Sequence, residues 1–140
     1  MSDTPRISPA EANAKLSDGF TYVDVRTTQE FEAGHPAGAV NVPLNHKEGP
    51  NPDFLRVMNA AFGPDAKIVV GCQAGSRSAR AAKALVDDGF KHVLDQRAGW
   101  GGARDPFGRV SEPGWQGAGL PSENGAPAGR SWPDMLKKTT

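Results

Sequence analysis

Two hydrophobic rhythms alternate along the chain. Short runs of β-branched and aromatic residues, Tyr22-Val23-Asp24-Val25, Val40-Asn41-Val42, Ile68-Val69-Val70 and His92-Val93-Leu94, predict strands. Ile68 to Val70 is apolar at successive positions, as a central parallel strand covered on both faces requires. Between these runs the apolar residues recur at helical spacing. Phe54, Leu55, Met58, Ala61 and Phe62 share one face of a helix opened by Asn51-Pro52 and closed by Gly63-Pro64. Ala79, Ala82, Leu85 and Val86 supply the buried side of another, which runs to about Asp88 with Gly89 beyond its end. The first helix has a clear start: Ser8 caps it, Pro9 suits its first turn, and Glu11 completes a capping box. It runs to about Ser17, before Gly19. A brief helical turn at Thr28 to Phe31 precedes Gly34.

Strands alternating with helices predict an α/β fold with a central parallel sheet of about five strands, flanked by helices on both faces. This pattern stops near Gly102, because glycine and proline crowd the chain after Arg97. The expected organisation is a catalytic domain over 1–102 and a loop-rich C-terminal extension over 103–140, packed on or near that domain. Trp100, Trp115 and Trp132, with Phe107, are the residues expected to pin this segment across the sheet or near the site. The stretch from Gly99 to Arg109 reads either as such a cap or as a docking surface for an acceptor. Pro121 to Gly129 has no apolar pattern and predicts an extended or mobile segment. Ser131 to Lys138 predicts a short closing helix, docked through Met135 and Leu136.

Charge narrows the function classes. Sixteen basic and 16 acidic residues balance, so no broad field attracts nucleic acid or an anionic membrane. No run approaches the ~18 apolar residues of a membrane span, and the stretch from Met1 to Arg6 lacks a signal-like apolar core. A cytoplasmic protein with no nucleic-acid or membrane partner is expected. Cys72 is the single cysteine, which excludes an internal disulfide and a multi-thiolate metal site. No histidine pair has ligand spacing, so neither a metal nor another cofactor is expected. His35 reads as a turn or packing residue, and His46 and His92 as surface residues.

Cys72 stands where the strand Ile68–Val70 gives way to a helix, at the carboxyl end of a strand, where open α/β sheets bind ligands. Gln73, Ala74, Gly75 and Ser76 are small or flexible enough to curl the backbone around the thiol, and Gly75 permits a positive φ. The amides of such a curl converge on one point, and the N-terminus of the following helix faces the same way. Arg77 adds a fixed positive charge. Together these favour a thiolate, the nucleophilic form. Phosphatases and arsenate reductases with a cysteine nucleophile place Cys and Arg one residue further apart, which admits a tetrahedral oxyanion. Here four residues separate Cys72 from Arg77, and the tighter ring suits one additional sulfur atom.

Four segments in order carry a family resemblance. They are Tyr22-Val23-Asp24-Val25-Arg26 with Glu30-Phe31, then Gly34-His35-Pro36-Ala37-Gly38-Ala39-Val40-Asn41-Val42-Pro43, then Cys72-Gln73-Ala74-Gly75-Ser76-Arg77-Ser78, and finally Gly89-Phe90 with Gly101-Gly102. With Ser8-Pro9-Ala10-Glu11-Ala12 at the opening helix, the chain resembles a single-domain rhodanese from about Ile7 to Gly102. The resemblance implies a rhodanese-like fold and a ping-pong sulfurtransferase. Cys72 is then the nucleophile and carries a persulfide. Gln73, Ala74, Gly75, Ser76 and Arg77 bind substrate, with Arg77 either holding the donor's anionic group or bracing the loop. Asp24, Arg26 and Ser78 support the loop, the first two through a buried ion and hydrogen-bond network, with direct substrate contact as the alternative. The implied partners are a small donor, thiosulfate or a persulfide, and a thiophilic acceptor such as cyanide, glutathione or a protein thiol. Gln73 stands where many thiosulfate-using members carry a basic residue, which implies weak use of thiosulfate. The competing readings are a non-enzymatic sulfur carrier or redox sensor and, against the loop spacing, a phosphatase or arsenate reductase.

Overall fold

The computed structural model describes residues 4–139; Met1 to Asp3 of the N-terminal stretch lie outside the described residues. Five strands form the central sheet: β1 (Arg6–Ile7), β2 (Thr21–Asp24), β3 (Val40–Asn41), β4 (Lys67–Gly71) and β5 (His92–Gln96). Their order is β1-β5-β4-β2-β3, and every pairing is parallel. The helices are α1 (Pro9–Ser17), α2 (Thr28–Ala33), α3 (Phe54–Ala61), α4 (Ser76–Asp87) and α5 (Trp132–Leu136). The most apolar strand, β4, lies in the middle, in register with Val23 on one side and Val93 and Leu94 on the other.

Alternation along the strands divides the core in two. Val23, Ile68 and Val70 pack with Phe54, Val57 and Met58 of α3 and with Ala81, Ala82 and Leu85 of α4. Tyr22 and Val69 pack with Ala12 of α1, Phe31 of α2 and Trp115. Both long amphipathic helices bury a face slightly rotated from the expected one. On α3, Val57 is fully buried while Leu55, Ala61 and Phe62 are only partly so. On α4, Ser78 and Ala81 join Ala82 and Leu85, whereas Ala79 and Val86 flank the contact.

Helix starts follow local chemistry. Ser8 and Glu11 exchange hydrogen bonds of 3.0 and 3.1 Å across the start of α1, closing the expected capping box. Thr27 and Glu30 close a second box at α2. This second box anchors Glu30 beside the site described below.

The C-terminal extension enters both halves of the core. Trp115 is fully buried, and its indole Nε1 donates to the Pro121 carbonyl at 2.8 Å. Ser122–Glu123 pairs antiparallel with His35–Pro36, and the Gly125 amide donates to the Glu32 carbonyl at 2.8 Å. The 121–129 stretch is therefore tied down through backbone bonds that carry no apolar signature. Met135 on α5 is buried in the α3/α4 side of the core. Phe107 is a correction: it is 83% exposed at a turn and pins nothing. His35 is buried, stacked on Phe31 at 3.7 Å between ring centroids, with Nδ1 2.7 Å from the Phe31 carbonyl. His92 is exposed, and His46 lies half-buried against Trp132.

Candidate active site

The end of β4 delivers Cys72 to the carboxyl edge of the sheet. Gly71 precedes it because a Cβ there would fall 1.8 Å from the Tyr22 hydroxyl. The chain then curls. Gly75 has φ +103°, and a Cβ would lie 2.4 Å from the Arg97 carbonyl oxygen, so no other residue fits this corner. Three carbonyls of the loop are engaged by other groups. The Cys72 carbonyl accepts from the Trp100 amide at 2.8 Å, and the Gln73 carbonyl from the Gly101 amide at 3.0 Å. The Gly75 carbonyl accepts from Arg6 Nη2 at 2.9 Å. With these oxygens held back, the Gly75 N–H donates to Cys72 Sγ at 3.1 Å.

Ser78 adds a second polar neighbour. Its Oγ lies 3.5 Å from Sγ and donates to the Gly75 carbonyl at 3.3 Å. Helix α4 begins at Ser76 with Gly75 as its cap and no side-chain hydrogen bond on its amides. Its first amides and the positive end of its dipole therefore face the loop. Cys72 is 2% exposed and contacts the apolar cluster of Val70 and Leu85, so the sulfur is screened from water while an amide meets it. The crest of the loop, Ala74 and Ser76, is exposed. A groove of about 400 Å³ runs beside it, lined by Ala74, Gly75, Ser76, Arg6, Arg97 and Arg104.

Four guanidinium groups around the loop are paired with carboxylates, while exposed Arg104 on the groove donates to the Gly108 carbonyl. Arg77 makes a two-pronged bond to Glu30, Nη1 to Oε1 at 2.7 Å and Nη2 to Oε2 at 3.0 Å. The Arg77 hydrogen bond is the main cause that holds the Glu30 carboxyl down at about 2, and the same bond raises the Arg77 guanidinium. Arg26 is buried on Asp24, with Nη2 to Oδ2 at 2.7 Å, and its Nη1 donates to Gln73 Oε1 at 3.2 Å. The Trp100 ring covers this guanidinium at 5.3 Å. Asn41 locks the same corner by donating to the Asp24 and Arg26 carbonyls. Arg6 pairs with Asp95 at 2.7 Å, and Arg97 with Glu112 at 2.9 Å on both prongs.

The geometry thus brings Cys72, Gly75 and Ser78 together around the sulfur. It links Asp24 and Arg26 to the loop through Gln73 and turns Arg77 onto Glu30. Three contributors were not named as site residues from the sequence: Glu30, the Trp100-Gly101 amides and Arg6. The spacing of a capping box, Thr27 followed three residues later by Glu30, is the local signal that fixes Glu30 in place. Nothing local marks Arg6.

Comparison with known proteins matches residues 8–103 to the rhodanese-like domain family. The chain is 41% identical over 98 residues to thiosulfate sulfurtransferase 16, chloroplastic, of Arabidopsis thaliana, covering 67% of this chain and 82% of that protein. It is 39% identical over 100 residues to the thiosulfate sulfurtransferase GlpE of Pseudomonas entomophila, covering 71% of this chain and 84% of that one. Among solved structures, the crystal structure of Rv0390 from M. tuberculosis superimposes with a TM-score of 0.76 at 28% identity, over 89% of this chain and 100% of that one.

Proposed function

The chain belongs to the rhodanese-like domain family, and on that premise we propose that it is a sulfurtransferase that carries sulfane sulfur as a persulfide on Cys72. The thiolate of Cys72 attacks the outer sulfur of the donor. With thiosulfate, the S–S bond breaks and sulfite leaves with the electron pair. With a persulfide, RSSH, the thiolate RS⁻ leaves and takes up the proton. Either way a second sulfur, bearing the negative charge, is left on Cys72. A thiophilic acceptor, cyanide or a thiolate, then attacks that outer sulfur, and the Cys72 thiolate departs.

One observation carries this reading: the Gly75 amide donates to Sγ at 3.1 Å, within a loop whose Cys72, Gln73 and Gly75 carbonyls are engaged by Trp100, Gly101 and Arg6. Such a fixed donor stabilises the sulfur anion at the start and end of each half-reaction without reorganisation. Helix α4 adds its dipole along the same direction. Arg77 braces the loop through Glu30, and Asp24 with Arg26 positions Gln73. The two relatives named thiosulfate sulfurtransferase support the same class of reaction.

Steady-state transfer from thiosulfate or glutathione persulfide to cyanide, read as thiocyanate, tests the proposal. Parallel double-reciprocal lines are expected, as for a covalent relay. Cys72→Ser should abolish transfer and keep the thermal transition. Turnover retained by Cys72→Ser would refute it.

A further inference from the structure

The groove beside the catalytic loop joins two parts of the chain. It is lined by Ala74, Gly75 and Ser76 of the loop and by Arg104 and Glu112 of a hairpin, in which Ala103–Arg104 pairs antiparallel with Val110–Glu112. Arg6 and Arg97 complete its charged lining. The hairpin is fixed close to the loop. Arg97 grips Glu112 with two prongs, and its carbonyl oxygen lies where a Cβ on Gly75 would fall. Gly75 also connects the groove to the sulfur, since its amide donates to Cys72 Sγ at 3.1 Å. The family match ends at residue 103, so Arg104 and the returning strand lie outside the matched residues.

Two of the three guanidinium groups in this lining are committed. Arg97 has both prongs on Glu112, and Arg6 gives Nε to buried Asp95 and Nη2 to the Gly75 carbonyl. Arg104 is not. Among the described residues no carboxylate pairs with it, and its Nη1 donates to the Gly108 carbonyl at 2.9 Å. That bond sets the guanidinium in place and leaves the rest of its fork for a ligand. Three guanidinium groups against Glu112 and Asp95 leave one positive charge over, on Arg104. A guanidinium fork matches a carboxylate through two parallel N–H···O bonds. The groove, of about 400 Å³, has the size of a small-molecule site, which runs from about 300 to about 1,000 Å³.

On the reading that Cys72 carries sulfane sulfur, we infer that this groove is a subsite for a low-molecular-weight thiol bearing a carboxylate, with Arg104 as the anchor for that carboxylate. The thiol then lies toward the loop crest. Residues 74–76 span at most about 10 Å, and a tripeptide thiol at full stretch covers the same length. Its thiolate bonds to the outer sulfur on Cys72. The sulfur–sulfur bond to Cys72 breaks, its electron pair stays on the Cys72 thiolate, and the acceptor departs as a persulfide anion. A neutral thiol undergoes the same exchange without the anchor.

Glutathione and its diethyl ester are the test, because esterification removes the carboxylate charges and keeps the thiol. Cys72 is loaded with sulfur from thiosulfate or glutathione persulfide, excess donor is removed, and the rate constant for discharge is measured with each acceptor. The readout is the ratio of the glutathione value to the ester value. Because both are measured on one protein, the ratio is insensitive to any loss of folded material. Arg104→Gln should lower it about three- to fivefold, the scale of one exposed ion pair. Arg104→Lys keeps the charge and should retain most of the ratio. Arg109→Gln removes a neighbouring hairpin charge outside the groove lining and should leave the ratio unchanged. The effect of Arg104→Gln should shrink as ionic strength increases. An unchanged ratio in Arg104→Gln, or an equal fall in Arg109→Gln, would overturn the inference while leaving Cys72 chemistry intact. Failure of both donors to place sulfur on Cys72 in the unmodified protein would instead remove the sulfurtransferase reading, and the inference with it.

Discussion

Gly75 is where the shape of the loop and its chemistry coincide. Its positive φ turns the amide onto Sγ, and its missing Cβ makes room for the Arg97 carbonyl. Gly75→Ala should cost about 2 kcal/mol for the left-handed backbone alone, with the clash added, and should lower transfer by more than it lowers the folded fraction. A denaturation midpoint and a rate at saturating donor separate the two effects. Glu30 and Glu123 provide a pH signature. Both are held at about 2, well below the ordinary value of 4.5, chiefly by hydrogen bonds from Arg77 and Arg130. For a depressed carboxyl the stabilisation is complete above the unfolded value and is lost as pH falls through the folded one. Urea midpoints should therefore decline between about pH 4.5 and about pH 2, and Glu30→Gln should flatten part of that decline. The thiol, its glycine and its neighbouring helix were legible because they are contiguous in the chain. Glu30 and Arg6 were not, because they reach the loop from 47 and 69 residues away.

At the scale of elements, hydrophobic rhythm located four of the five central strands and the principal helices. Strand β1 left no trace, since Arg6–Ile7 offers a single apolar residue and no β-branched run, unlike the equally short β3, whose run Val40-Asn41-Val42 carries two valines. It is recruited by pairing with β5, and it places Arg6 over the Gly75 carbonyl. The same limit hid Ser122–Glu123, whose partners are backbone groups of His35–Pro36. The late tryptophans were visible as large apolar residues, but only the fold separates buried Trp115 from exposed Phe107. Trp115 meets Tyr22 edge-on at 5.3 Å between centroids and fills the sheet face opposite α3 and α4. Trp115→Ala should destabilise the protein by about 3–5 kcal/mol, as expected for a large aromatic removed from a packed core. A thermal or chemical melt checks this; a loss below about 1 kcal/mol would mean that the extension packs loosely.

Across the whole molecule, a parallel sheet with helices on both faces presents a strand end, a tight loop and a helix start at one edge. That edge is where the chain places its single thiol. Around the site four arginines are matched by carboxylates, Arg104 lies exposed on the neighbouring groove, and the Gly75 backbone amide is the donor that meets the sulfur. Intact-protein and peptide mass spectrometry after brief exposure to glutathione persulfide or thiosulfate tests this most directly. One extra sulfur atom should be found on the peptide bearing Cys72, lost on addition of cyanide and absent from Cys72→Ser. A chain that gains no sulfur from either donor, or gains it equally in Cys72→Ser, would contradict a persulfide held by this loop.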